Sequence, residues 1–131
     1  MSILFKSVQR TNPQDVTAPK KFYAKAIANG ESNLDDLADL VASQCTVSKA
    51  DCYAVLVALE SNVIRELKNG RIVRLGSLGS YQLGVSANGM ETDDEVTATT
   101  IKKAKINFRP SYGLKTMLKA LQYKKAQNQS T

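Results

Sequence analysis

The chain contains no histidine and no tryptophan, and only two cysteines, among its 131 residues. Without an imidazole, Ser77 and Ser80, which lie beside glycines, have no general base to activate them, and no nucleophile elbow or phosphate-cradling glycine loop is present. Two thiols without histidine do not supply a four-ligand zinc site. No apolar run approaches the roughly 20 residues that a membrane span needs. Lys6 and Arg10 interrupt the one early apolar stretch, Ile3 to Phe5, so no secretory signal is legible. Aromatic residues are only 6% of the chain and form no stacking motif, which argues against single-strand recognition. These absences predict a non-enzymatic cytoplasmic protein with free Cys45 and Cys52, no metal, no cofactor and no small-molecule substrate.

Charge, by contrast, is plentiful and segregated. The net +6 is the sum of blocks: residues 1–30 carry +4, residues 31–67 carry −5, and residues 68–85 carry +3. Residues 86–100 carry −4, and residues 101–131 carry eight basic groups and no acid. A concentrated basic segment is the footprint of a polyanion binder; a solvated basic C-terminus is the plain alternative.

Hydrophobic spacing places the elements. Residues 2–10 and 21–28 read as strands, with a loop containing Pro13 and Pro19 between them; 21–28 could also form a short helix. Asn33 is an N-cap for a short helix ending near Gln44, with Asp35 and Asp36 in the first turn where the helix dipole favours acids. Ser48-Lys49-Ala50-Asp51 resembles a capping box for a longer helix. Its stripe, Cys52, Val55, Leu56, Leu59, Val63 and Leu67, is widened by Val57 and Ile64, and Gly70 suits its C-terminus. So apolar a helix needs cover on more than one side, which suits a dimer interface. Strands are expected over 71–75, 80–86 and 96–108, with a bend between Gly76 and Gly79 and a hairpin signal at Asn88-Gly89. Pro110 is expected to interrupt the pairing and open a last helix over 111–123, with Leu114, Met117, Leu118 and Leu121 inward. Three segments result: a β extension over 1–30, a main domain over 31–123 and a polar tail over 124–131.

This order of elements resembles the bacterial HU and IHF family of DNA-bending proteins over about residues 33–123. Three stretches carry the likeness: Lys68-Asn69-Gly70-Arg71-Ile72-Val73-Arg74-Leu75 leading into the first strand; Leu75-Gly76-Ser77-Leu78-Gly79-Ser80-Tyr81 at the glycine bend; and Phe108-Arg109-Pro110-Ser111-Tyr112-Gly113-Leu114-Lys115 at the last helix. The first 30 residues resemble the N-terminal extension of a divergent HU-like branch. The resemblance implies an α+β fold: a helical pair, a three-stranded antiparallel sheet with an arm hairpin, a C-terminal helix and an intertwined dimer, here a homodimer. It implies architectural binding of double-stranded DNA at the nucleoid with low sequence specificity, through Arg74, Lys102, Lys103, Lys105, Arg109, Ser111, Lys115 and Lys119.

The residues themselves add chemistry to that list. Phe108 suits a core anchor where sheet meets helix, and Ser111 and the following amides begin a helix, where phosphate is attracted. Alternation puts Lys103 and Lys105 on one strand face and Lys102 on the other; the plain alternative for these lysines is a charged edge that deters aggregation. The sequence departs from the family at the arm, where Val85 to Val96 has no proline and no basic residue but holds Glu91, Asp93, Asp94 and Glu95. Such a tip is repelled by the minor groove, although Met90 could serve as an apolar wedge. Lys20, Lys21 and Lys25 could extend the basic surface, and the two extra strands could pair with each other or edge a sheet. The acidic arm and the extension motivate a second function, a protein-assembly module on an HU-like dimer that has lost DNA bending.

Overall fold

The computed structural model describes residues 1–127, in which three α-helices and two three-stranded sheets form two compact units. One unit comprises Met1–Ser32 with the described residues from Lys119 onward; the other is Asn33–Leu118.

In the first unit, β1 (Ile3–Arg10) pairs antiparallel with β2 (Lys21–Ala26) and parallel with β6 (Tyr123–Lys125), giving the order β2-β1-β6. The two N-terminal strands thus pair with each other, and β2 is a strand rather than a helix. The Ile3 amide donates to the Gln122 carbonyl and the Ala126 amide to the Phe5 carbonyl, extending the parallel ladder at both ends. In the intervening loop the Asp15 carboxylate accepts from the Thr17 hydroxyl and amide. The same two hydrogen bonds hold Asp15 below its ordinary carboxylate value. Lys124 and Lys125, expected in a polar tail, belong to β6; the last four residues of that expectation, 128–131, lie outside the described residues.

The second unit opens with α1 (Leu34–Gln44) and α2 (Lys49–Lys68). Asn33 caps α1 reciprocally: its side chain accepts from the Asp36 amide, and the Asp36 carboxylate accepts from the Asn33 amide. Ser48 makes only half of that arrangement, accepting from the Asp51 amide, so the expected box is a single cap. Lys49 reaches back to Asp35 and Asp39 at 3.2 and 3.3 Å, and these carboxylates raise its pKa above the ordinary lysine value. At the far end Gly70, at φ +80°, donates to the Leu67 carbonyl while Arg71 donates to Glu66. This double bond pattern is a Schellman stop, and it requires the left-handed conformation that glycine adopts freely.

The sheet of this unit has the order β3-β4-β5, all antiparallel: β3 (Val73–Arg74), β4 (Gly79–Ala87) and β5 (Ile101–Pro110). β3 is shorter than the expected 71–75, because the Arg71 amide is taken by the helix stop and the Leu75 amide by the Gly79 carbonyl in the bend. β5 begins five residues later than expected, at Ile101 rather than 96. Asn88-Gly89 does not close a two-residue hairpin; residues 88–100 form a longer connection holding two 3₁₀ turns, Asp93–Glu95 and Ala98–Thr100. The arm hairpin anticipated there is therefore a folded loop beyond Ala87 and Ile101. Its end is tied by the buried Thr100, whose hydroxyl donates to the Thr97 carbonyl.

Pro110 does not interrupt the pairing but ends it, standing opposite Gly79 as the last residue of β5. α3 (Tyr112–Lys119) stops well short of 123, leaving Leu121 beyond its end and Gln122 joined to β1. Pairing with a neighbouring strand wins over the weak helical pattern of these residues.

Cys52 and Leu67 on α2 and Ala38 on α1 are buried, as the α2 stripe predicts for the first two. Of the rest of that stripe, Leu56 and Val63 are half-buried, and Val55, Val57, Leu59 and Ile64 are exposed. So are Met117 and Leu118, expected inward, and Phe108, expected as a core anchor, is 44% exposed. Phe108 instead packs its ring on Tyr81, with centroids 4.9 Å apart.

Candidate nucleic-acid interface

Strand alternation and register sort the second unit's sheet into two chemically distinct faces. Val73, Tyr81, Leu83, Val85, Ile106 and Phe108 lie on one face. Arg74, Ser80, Gln82, Gly84 and Ser86 lie on the other, with Arg109, Asn107, Lys105 and Lys103 opposite them on β5. Three of the expected DNA contacts thus stand on a single strand edge, and Arg74 joins their face from β3, with Ser80 between it and Arg109. The β4 residues of this face are small or uncharged, which gives the cations room to lie across the strand. At Gly84 an added Cβ would come within 3.2 Å of the Lys105 Cε.

Lys102 departs from the alternation. Ser86 pairs with Lys103 and Ala87 with Ile101, so Lys102 is the unpaired residue of a β-bulge. The register shift interrupts the period of two on which the expectation for Lys102 rests.

Where the sheet meets α3, a concavity of about 380 Å³ is lined by Arg74, Ser80, Arg109, Ser111, Tyr112 and Lys115, together with Gly76, Gly79 and Pro110. Four residues expected from sequence, Arg74, Arg109, Ser111 and Lys115, meet here. Three of them are cations, and among the described residues no acid lines the site. Lys103 and Lys105 stand farther along the same sheet face; Lys119 is the last residue of α3, one turn beyond Lys115. Tyr112, 72% exposed at this concavity, was not anticipated; its signal was an aromatic in the first turn of a helix that otherwise needs apolar residues inward.

The helix start offers less to an anion than the sequence suggests. The Ser111 amide donates to the Leu78 carbonyl at 2.9 Å, and the Gly113 amide to the Ser77 carbonyl at 3.0 Å. Two amides expected to attract phosphate are thus occupied in docking α3 onto the 75–79 bend, and Ser111 retains its hydroxyl. The docking is close: a Cβ on Gly113 would lie 2.7 Å from the Ser77 carbonyl oxygen, and one on Gly79 would strike the Arg109 carbonyl and the Phe108 ring. Positive charge at this site therefore comes from the guanidinium groups and Lys115 rather than from the helix terminus.

The connection between β4 and β5 keeps Glu91, Asp93, Asp94 and Glu95 exposed, so its charge is opposite to that of the sheet face. Among the described residues no group of His, Cys, Asp or Glu side chains could hold a metal ion, and no helix is long and apolar enough to cross a membrane.

No curated protein matches the chain. A crystal structure from Bacteroides vulgatus ATCC 8482, described as a candidate bacterial DNA-binding protein, has a similar fold with a TM-score of 0.64 at 14% identity. The likeness covers 99% of this chain and 50% of that one, so the chain spans half of its neighbour's length. The model of the HU-HIG family, HU domains fused to a wHTH, Ig or glycine-rich motif, matches residues 1–125 of this chain, which belongs to that family.

Proposed function

We propose that the protein is a non-enzymatic, architectural binder of double-stranded DNA with low sequence preference, acting as a homodimer. The observation that carries this reading is the convergence of Arg74, Arg109, Ser111 and Lys115 on one acid-free concavity beside the Lys103–Lys105 edge. Such groups contact phosphates, which position a duplex without reading its sequence. Membership of an HU-type family and the fold shared with the Bacteroides vulgatus protein support the same partner. Lys102 on β5 and Lys119 at the end of α3 are further candidate phosphate contacts.

The acidic 88–100 connection does not enter the minor groove, so intercalative kinking is not part of the mechanism, and binding runs along the sheet and α3. The affinity comes from counterion release. It is expected to fall about 1,000-fold between 50 and 200 mM salt, as for a protein making several phosphate contacts per protomer. Reversing charge at Lys103, Lys105, Arg109 and Lys115 should abolish the gel shift of linear, nicked and bent duplexes. Affinity that stays flat over that salt range, or survives the reversal, rules the mechanism out.

The acidic connection favours a second reading, an assembly module that has lost DNA function. A single stoichiometric protein partner copurifying without nucleic acid is its signature.

A further inference from the structure

The net charge of the chain resides in the first unit. Residues 1–32 and 119–131 hold eight basic and two acidic groups, whereas Asn33–Leu118 holds ten of each. The register of β1 and β2 concentrates that excess. Lys6 stands directly opposite Lys25, and Arg10 opposite Lys21. All four lie on one face of the sheet by alternation, with Val8 and Tyr23 paired between them and Lys124 joining from β6 opposite Leu4. All four cations are exposed, and none makes a salt bridge among the described residues. Arg10, Lys21 and Tyr23 also line a concavity of about 510 Å³ beneath the 11–19 loop.

Like charges set directly across a strand pair oppose folding. A charged edge strand would explain Lys21 and Lys25, since lysine on an edge deters sheet-to-sheet association. It does not explain Lys6 and Arg10, because β1 is the central strand of β2-β1-β6. Two facing pairs of uncompensated cations, repeated where only one member needs to be charged, call for an anion from outside the chain. The pairs are four residues apart along β1, about 13 Å at 3.3 Å per residue. That spacing is close to the roughly 12 Å width of the DNA major groove, so each pair can meet a different phosphate strand.

We infer that the Lys6/Lys25 and Arg10/Lys21 face of the N-terminal sheet is a second phosphate-backbone site for duplex DNA, in addition to the cleft of the HU-like unit. The inference rests on the reading of duplex DNA as the ligand. It gives the chain two independent phosphate-contacting surfaces, and the duplex held by the second is gripped across a groove by four side chains that make no base contact.

The test uses the full chain with Lys6, Arg10, Lys21 and Lys25 each replaced by Gln, and a linear duplex titrated from 50 to 300 mM salt. The slope of log affinity against log salt should become shallower by about three to four for each chain bound. Affinity near 150 mM should fall about tenfold or more. The matched pair Lys6→Gln/Lys25→Gln should exceed Lys68→Gln/Lys125→Gln in effect, although both remove two charges. In the absence of DNA, the quadruple variant should unfold at the same or a higher temperature, which excludes misfolding as the cause of weaker binding. An unchanged slope overturns the inference, as does equal loss in the two double variants. Loss of binding to phosphatidylserine vesicles with duplex affinity intact overturns it in favour of a membrane surface. If the cleft reversal weakens binding and the sheet variant does not, the inference alone falls; in the opposite case the cleft falls and the sheet stands. If neither set matters, both readings fail.

Discussion

Gly113 and Gly79 show how little room separates the parts of the cleft. Neither is held at positive φ; both are constrained by what their missing Cβ would meet. Gly113 lies where α3 docks on Ser77, and the obstacle is backbone, which cannot swing aside as a lysine tip can. Gly113→Ala should therefore destabilise the protein by about 1–3 kcal/mol, the usual cost of overpacking, and weaken DNA binding further by moving Lys115 away from Arg109. Thermal unfolding together with a gel shift measures both effects. At Gly84 the nearest groups are the side chains of Asn107 and Lys105, so an added methyl there displaces flexible atoms and the fold tolerates it better.

Helix ends were the most legible elements. Asn33 with Asp36, Ser48 and Gly70 are local signals, since each cap involves residues within about one turn of the helix end, and the structure uses all three. Asn33→Ala removes the side-chain acceptor for the Asp36 amide and should cost about 1 kcal/mol. Ser48→Ala should cost somewhat less, because its cap lacks the return bond. Chemical denaturation of the two variants checks the order. Strand ends were less legible: β3 is cut short by hydrogen bonds made elsewhere, β5 starts late because residues 92–100 close into 3₁₀ turns, and the expected last helix yields Tyr123 to β6. At the end of α3 the competing partner is β1, distant in the chain, whereas at β3 and β5 it is a local bond of the helix stop, the glycine bend or a 3₁₀ turn.

The second unit does not cover its own apolar surface. On α2, Val55, Leu59 and Ile64 are exposed, and on the sheet Leu83, Val85, Ile106 and Phe108. Leu59, Val63, Ile64, Tyr81 and Ile106 line an open apolar groove of about 370 Å³ between helix and sheet. Contiguous exposed apolar patches of this kind mark interfaces, and the proposed homodimer would supply the cover. Two consequences follow from mass action: the unfolding temperature should rise with protein concentration, and Ile64→Ala should weaken self-association by about 2 kcal/mol for each buried side chain truncated. Sedimentation at several concentrations measures the latter. A concentration-independent monomer would remove the dimer from the proposal while leaving the cleft intact.

Composition, periodicity and capping residues were enough to place the helical pair, the glycine bend, the basic character of β5 and the likeness to HU proteins, because these depend on neighbours in the chain. The resemblance to that family supplied Arg74, Arg109, Ser111 and Lys115 as candidates. That these four face one concavity, that Lys102 sits in a bulge, and that two helix-start amides are already engaged are consequences of strand register and of α3 docking. The pairing of Lys6 with Lys25 and of β1 with β6 joins residues that are 19 and about 120 positions apart. Side-chain period is two in a strand, so a shift of one residue would scatter those cations over both faces. Only long-range hydrogen bonding selects the register, and no local pattern in the sequence encodes it.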